Sequence, residues 1–140
     1  MDTFVLDTNV ISALRRPEKA NPNLLAWAAA TPVENFFLSS ITVLELELGI
    51  LLMERKDTGQ GAVLRAWFER QVIPRFERRI IAVDTAVARC CADLHVPNPC
   101  QERDALIAAS ALVHGMTVAT RNVADFAPTG VRTLNPWGES

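Results

Sequence analysis

Hydrophobic and polar positions alternate along this chain in a pattern that predicts short buried strands separated by helices. Apolar runs of about three or four residues, bounded by polar residues, are typical of strands that are covered on both faces. Such runs predict strands at Thr3–Leu6, Phe36–Ser39, Ile80–Val83 and Thr117–Thr120, and an edge strand at Val131–Leu134. We therefore expect a mainly parallel sheet of four or five strands.

Longer stretches with apolar residues at helical spacing lie between these strands. They predict helices at Asn9–Leu14, Pro22–Ala30, Thr42–Arg55, Gly61–Phe76, Asp84 to about His95, and Arg103–His114. Asn21 and Asp84 are expected to cap helices through their side chains, and Gly115 is expected to end the last helix. This order predicts one α/β domain over residues 1–140, folded as a three-layer α/β/α sandwich.

Composition and charge exclude several classes of protein. The 140 residues suit one domain, and a net charge of −2 argues against a protein that coats DNA. A nucleic-acid enzyme remains compatible with this charge, because bound cations can supply positive charge. Three cysteines without a Cys-x-x-Cys pair predict a reducing cytoplasm, with neither disulfides nor a cysteine metal site. No apolar stretch is long enough for a membrane span, so we expect no membrane partner.

Polar side chains that suit a metal ion follow several of the predicted strands. Asp7 follows the first strand, and Asn122 and Asp125 follow the fourth. Glu45 and Asp104 lie in the first turns of two helices. Because parallel α/β proteins place their sites at the carboxyl edge of the sheet, we expect most of these side chains to converge there. Oxygen ligands of this kind are those that Mg²⁺ prefers.

Helix capping is the simpler interpretation of each acid taken alone. An acid in the first turn of a helix stabilises the helix dipole, and on this basis Asp7, Asp84 and Asp104 are each more often caps than ligands. The combination favours a metal site, because clustered carboxylates repel one another unless a cation lies between them. Helical periodicity does not choose between Glu45 and Glu47, since both lie at boundaries between two apolar faces.

Three sequence blocks make the chain recognisable. They are FVLDTNVISAL near the start, SSITVLELELG in the middle and RDALIAASALVHGMTVATRNVADF near the end. In this order and spacing they resemble the PIN-domain family, and within it the VapC-type and FitB-type toxins of type II toxin–antitoxin pairs. The resemblance implies a small α/β/α fold and a ribonuclease that depends on Mg²⁺, with Mn²⁺ as an alternative.

The resemblance also implies the residues of the site. The Glu-Leu-x-x-Gly pattern of the family falls on Glu45 rather than Glu47. Asp7, Glu45 and Asp104 then match the metal ligands, and together with Asn122 they match the catalytic positions.

The fourth catalytic position is often Asp in the family, so the amide of Asn122 implies a weaker metal site. Asp125 either compensates for this amide or caps the turn that follows, and the cap is the favoured interpretation. Thr8 and Thr120 offer hydroxyl groups near the same edge, although Thr8 is as well placed to bond to its local backbone.

The implied function is hydrolysis of RNA phosphodiester bonds by metal-activated water. The implied partners are a cognate antitoxin, operator DNA only through that antitoxin, and a second copy in a homodimer. Pro22–Ala30 is one candidate for the dimer contact. An antitoxin tail is expected to place an Arg among the acids and to lie in a groove between Asn9–Leu14 and Thr42–Arg55.

Two alternatives stay open from the sequence. One is a catalytically impaired PIN module that binds RNA or an antitoxin, for which Asn122 is the main support. The other is a phosphatase that uses Asp7 as a nucleophile. A phosphatase of that kind needs a second Asp two residues further on, and this chain has Asn9 there.

Overall fold

A five-stranded parallel sheet forms the centre of the protein. The computed structural model describes residues 2–138. The strands are β1 (Phe4–Leu6), β2 (Phe36–Ser39), β3 (Ile80–Ile81), β4 (Thr117–Ala119) and β5 (Thr133–Leu134). They pair in the order β3-β2-β1-β4-β5, and all pairs are parallel. The predicted sheet is confirmed, but β3 ends early because Ala82 and Val83 are exposed instead of pairing.

Eight α-helices, together with shorter 3-10 and π-helical segments, connect the strands within the described residues. The α-helices are α1 (Thr8–Ala13), α2 (Pro22–Ala30), α3 (Ser40–Lys56), α4 (Thr58–Trp67), α5 (Ile73–Arg75), α6 (Thr85–Leu94), α7 (Glu102–His114) and α8 (Val123–Phe126). Three predicted helix ends are confirmed. Asn21 accepts a hydrogen bond from the N–H of Asn23, and Asp84 accepts one from that of Val87. Gly115 ends α7 with a φ of 68°, a conformation that favours glycine.

The helix predicted over Gly61–Phe76 is divided in the structure. It begins earlier, at Thr58, because the Asp57 carboxylate accepts a hydrogen bond from the N–H of Gln60 at 3.1 Å. A wide π-helical turn over Phe68–Val72 then separates α4 from α5. The side chains of Phe68 and Val72 point from this turn into the core, where each is 2% exposed. A local widening of this kind leaves no mark in helical periodicity, so the pattern predicted a single helix.

Alternate residues of β1 pack on opposite faces of the sheet. Phe4 and Leu6 lie in a core that also contains Leu24 of α2. Val5 lies in a second core together with Val87 of α6 and residues of α7. Helices α1 to α4 therefore cover one face, and α6 and α7 cover the other. This arrangement confirms the predicted three-layer sandwich and follows from the two-residue period of a strand.

The central position of β1 determines where a site can form. Its neighbours are β2 on one side and β4 on the other, so the chain leaves β1 at a point where the strand order reverses. The N–H of Asp7 donates to the carbonyl of Ala119 at 2.9 Å, which joins the carboxyl ends of β1 and β4. Ligands of open α/β sheets bind in the crevice at such a point.

None of the helices within residues 2–138 combines the length and the apolar character needed to cross a bilayer.

Candidate metal and active site

Asp7 both caps a helix and lies at the centre of the crevice. One carboxylate oxygen accepts a hydrogen bond from the N–H of Thr8 at 2.8 Å, which caps α1. The other accepts one from the hydroxyl of Thr120, just after β4, also at 2.8 Å. Asp7 is 7% exposed, and this burial raises the pKa of its carboxyl despite the two hydrogen bonds. The charges of Glu45 and Asp125 raise the pKa further.

Glu45 reaches the same crevice from α3. Its Oε1 accepts a hydrogen bond of 2.6 Å from the hydroxyl of Thr8, the residue that follows Asp7. Thr8 therefore bonds to a site residue, although the sequence left a local backbone bond equally open. Glu47 points away from this position and pairs with Arg65 of α4 at 2.7 Å. The structure thus separates the two glutamates that helical periodicity could not distinguish, and it brings Glu45 to Asp7.

Asp104 enters the site from the first turn of α7. Burial raises the pKa of its carboxyl first, and the charges of Asp7, Asp125 and Glu45 add to this, giving a pKa of about 6. No side chain caps the start of α7 through a hydrogen bond. Within residues 2–138 the Asp104 carboxylate therefore does not act as a helix cap. Three other carboxylates lie close enough to raise its pKa in addition to burial.

The segment after β4 adds one further acid. The N–H of Asn122 donates to the hydroxyl of Thr120 at 2.9 Å, whereas the Asn122 residue as a whole is exposed. Asp125 lines an open groove together with Asp104, and its charge raises the pKa of both Asp7 and Asp104. In the described part of the chain no helix is capped by the Asp125 side chain. The capping role favoured for Asp125 from the sequence is therefore not what the structure shows.

The donor set fits a hard divalent cation. Four carboxylates act on one another electrostatically, and such mutual repulsion is relieved when a cation lies between them. Two threonine hydroxyls hold Asp7 and Glu45 in place, yet each carboxylate oxygen keeps a lone pair for a further bond. Oxygen ligands of this kind are suited to Mg²⁺ or Mn²⁺.

Arg103 is a neighbour of the site that the sequence reasoning missed. Its guanidinium Nη1 lies 3.7 Å from Oε2 of Glu45. The residue precedes Asp104 directly, so the only sequence signal was a basic residue next to a candidate acid. Such a pair is common on exposed helix faces and carries little information by itself.

A second group of metal-ligand types lies between α6 and α7. Cys91 Sγ, His95 Nε2 and Glu102 Oε1 are 3.8–3.9 Å from one another. The other ring nitrogen of His95 accepts a hydrogen bond from the N–H of Cys100 at 3.1 Å. A metal ion on Nε2 would require the proton to be on Nδ1, where it would face that N–H. This bond therefore opposes a metal ion at the group, and the oxygen-rich site fits better.

Comparison with protein families matches this chain to the PIN domain over residues 4–127. Two relatives are similar over nearly their whole length. The chain is 37% identical to the toxin FitB of Neisseria gonorrhoeae, covering 96% of this chain and 98% of that protein. It is 36% identical to the VapC ribonuclease Y4jK of Sinorhizobium fredii, covering 96% of this chain and 97% of that protein.

A solved structure has the same fold over nearly the whole length of this chain. The crystal structure of FitAcB from Neisseria gonorrhoeae superposes with a TM-score of 0.88 at 35% sequence identity. The match covers 98% of this chain and 100% of that chain. Sequence and fold therefore agree along the same length of chain.

Proposed function

The chain belongs to the PIN domain family, in the group that contains the FitB and VapC toxins, and on that premise we propose that it is a metal-dependent ribonuclease. It would be the toxin of a toxin–antitoxin pair. Its substrate is RNA, and its cofactor is Mg²⁺ or Mn²⁺. The observation that carries the proposal is the convergence of Asp7, Glu45 and Asp104, with Asp125, at the carboxyl ends of β1 and β4.

Asp7, Glu45 and Asp104 would hold the cation. When bound, a divalent cation supplies a Lewis acid that activates water and offsets the charge that develops on the phosphate. The hydroxyls of Thr120 and Thr8 orient Asp7 and Glu45, so that the carboxylates are ordered before the substrate arrives. The open groove beside Asp104 and Asp125 gives a nucleic-acid strand access to the acids.

The two alternative functions are less well supported by the site. Asn122 favours a catalytically impaired module, but the charge of Asp125 lies close enough to raise the pKa of Asp7 and Asp104 and can replace the missing carboxylate. A phosphatase would need a general acid at position 9. There the amide oxygen of Asn9 lies 3.4 Å from the N–H of Arg121, and an amide cannot transfer a proton in that role.

A direct nuclease assay tests the proposal. Purified full-length chain should cleave a single-stranded RNA in Mg²⁺ or Mn²⁺, and EDTA should abolish cleavage because the acids then lack their counter-charge. Asp7→Asn is the matched variant, since asparagine caps a helix about as well as aspartate but carries no charge. Gel electrophoresis of labelled RNA would follow the reaction. Equal cleavage by wild type and Asp7→Asn, or equal cleavage in EDTA, would contradict it.

An antitoxin would bind beside the acids. An apolar groove borders α1, α2 and the π-helical turn; its residues include Leu6, Ile11, Leu14, Phe36, Trp67 and Val72. A second groove between α1, α3 and α4 shares Trp67 and reaches Glu45. The groove predicted between α1 and α3 is therefore present, and a second, more apolar groove lies beside it. A tail that occupies both could bring an Arg to the carboxylates and compete with the metal. Operator DNA would be contacted through that antitoxin.

A homodimer should form through α3 rather than through α2. Two large side chains of α2 pack inward: Leu24 is fully buried, and Trp27 packs against Phe4. On α3 four leucines share a face and are 39–60% exposed, namely Leu44, Leu48, Leu51 and Leu52. Exposed apolar stripes of this kind mark interfaces between proteins. These four leucines, which we call the leucine stripe, are therefore the proposed dimer contact in place of α2.

Light scattering at micromolar concentration would measure the dimer. Leu51→Lys should shift the mass from dimer to monomer, because a charge in the stripe is buried without a partner. Val63→Lys is the matched control, since Val63 is an equally exposed apolar residue on α4 (51% exposed) and lies outside the stripe. A monomeric wild type, or an Leu51→Lys variant that remains dimeric, would rule out this contact.

A further inference from the structure

Arg103 is a cation placed against a ligand of the proposed metal. Its guanidinium approaches Oε2 of Glu45, while its own backbone lies next to Asp104. Three other arginines of the described chain have contacts that do not involve a site carboxylate. Arg65 pairs with three glutamates, Arg79 donates to backbone carbonyls, and Arg121 lies over the ring of Trp137 at 5.3 Å. Among the ion pairs of residues 2–138, the pair between Arg103 and Glu45 is the one that involves a carboxylate of the site.

The contact between Arg103 and Glu45 is loose. Its length of 3.7 Å exceeds the roughly 2.7–2.9 Å of a charge-assisted hydrogen bond. The Arg103 side chain is 51% exposed and that of Glu45 is 25% exposed, so solvent screens the pair. Glu45 is held separately by the 2.6 Å hydrogen bond from Thr8. Arg103 can thus leave Glu45 without changing how that carboxylate is oriented.

A divalent cation and Arg103 compete for the same carboxylate. A cation held by Glu45, Asp7 and Asp104 would repel the guanidinium and would remove the negative charge that attracts it. The groove next to Asp104 is lined by two carboxylates and the polar side chains of Asn98 and Gln101. A phosphate backbone entering that groove would meet negative charge and would need a nearby cation to offset it.

We propose that Arg103 is an exchange cation of the site. It neutralises Glu45 when the divalent metal is absent, and when the metal binds it is released to pair with a backbone phosphate of the RNA. The planar guanidinium suits this task, because it can bind two phosphate oxygens at once and never loses its charge. The inference rests on the proposed ribonuclease function, and it assigns Arg103 to substrate binding.

The first measurement concerns the metal and does not require cleavage. Calorimetry would compare Mn²⁺ binding by wild type, Arg103→Gln and Arg89→Gln, a control that removes the same charge from an exposed position on α6. Arg103→Gln should bind Mn²⁺ about three- to tenfold more tightly, since a competing cation is gone. Arg89→Gln should bind like wild type. Equal affinity in wild type and Arg103→Gln would overturn the exchange role.

The second measurement concerns RNA. Fluorescence anisotropy of a labelled single-stranded RNA, with Ca²⁺ to fill the site and a gel to verify that the RNA stays intact, would be repeated at several salt concentrations. Arg103→Gln should bind about tenfold more weakly than wild type. Its slope of log affinity against log salt should be smaller by about 0.7, as for one lost phosphate contact. In EDTA the difference in RNA affinity between the two proteins should be smaller than in Ca²⁺, because Arg103 then pairs with Glu45 for part of the time. A difference that is as large in EDTA as in Ca²⁺ would overturn the exchange role.

The outcomes separate this inference from the function on which it rests. A wild type that binds no Mn²⁺ and cleaves no RNA contradicts the ribonuclease proposal itself. A wild type that binds Mn²⁺ and cleaves RNA, while Arg103→Gln keeps the wild-type salt slope, overturns only the role of Arg103. In steady-state cleavage a phosphate-binding Arg103 predicts a raised KM with little change in kcat. A merely structural role for Arg103 would leave both the salt slope and the Mn²⁺ affinity unchanged.

Discussion

Replacing Asp104 by asparagine should lower the rate of RNA cleavage at least about a hundredfold while stabilising the metal-free protein. The loss of rate follows because the amide removes one of the three acids proposed to hold the cation; loss of groups that only support a metal ligand already costs about 10–100-fold. Gel assays of labelled RNA in Mg²⁺ would measure this rate.

The gain in stability follows from the pKa of Asp104. In the folded protein this pKa is about 6, above its ordinary value of 3.8, so the folded state binds the proton more tightly. The favourable contribution is fully present below pH 3.8 and is lost as the pH rises through about 6. At pH 7.5 the ionised carboxylate therefore destabilises the fold, and Asp104→Asn should raise the metal-free melting temperature by about 2–4 °C.

Asp84→Asn is the matched control for this prediction. Like Asp104, Asp84 is an acid at the start of a helix. It caps α6 by accepting a hydrogen bond from the N–H of Val87, and it lies outside the site. Asparagine preserves such a cap. Cleavage and melting temperature should therefore both stay at wild-type values in Asp84→Asn. A variant Asp104→Asn that cleaves at the wild-type rate would remove Asp104 from the catalytic set.

The affinity for Mn²⁺ should fall at least about tenfold between pH 7.5 and pH 5. At pH 7.5 Asp104 is ionised and ready to bind a cation, whereas at pH 5, below its pKa of about 6, most molecules carry a proton there. The metal must displace that proton, so its apparent affinity falls about tenfold for each pH unit below the pKa. Burial also raises the pKa of Asp7, which acts in the same direction.

Calorimetry at several pH values would test this dependence, and the protons released on binding can be counted from the same data in buffers of different ionisation enthalpy. The residual Mn²⁺ affinity of Asp104→Asn should change less with pH than that of wild type. If the Mn²⁺ affinity of the wild type stayed constant between pH 7.5 and pH 5, the metal would not be displacing a proton from Asp104.

The fold was predictable because its signals are local. Apolar runs identify β1, β2 and β4, and the side chains that cap α2 and α6 are read directly from the sequence. The π-helical turn over Phe68–Val72 was not predictable, since it depends on how two helices and the sheet pack together. The early end of β3 has the same origin, because only Ile80 and Ile81 pair with β2 and the residues after them are exposed.

The candidate site was predictable only in part. The order of strands suggested that the acids meet, but it did not separate Glu45 from Glu47; that required the family resemblance, and the bonds to Thr8 and Arg65 now give a physical reason. Asp125 was misread as a cap because its effect is electrostatic and acts between segments distant in sequence. Arg103 was missed for the same reason.

The capping role of Asp7 has an evolutionary consequence. Aspartate and asparagine differ by a single base change and cap helices about equally well. A descendant of this chain could therefore lose the charge at position 7 while α1, the sheet edge and the apolar grooves stay intact. If the proposed function holds, such a descendant would lose nuclease activity but keep the grooves to which an antitoxin would bind, and by binding antitoxin it would leave active copies of the toxin uninhibited. Because asparagine at position 7 would keep the cap of α1, loss of catalysis by this substitution would leave a folded protein that competes for the antitoxin.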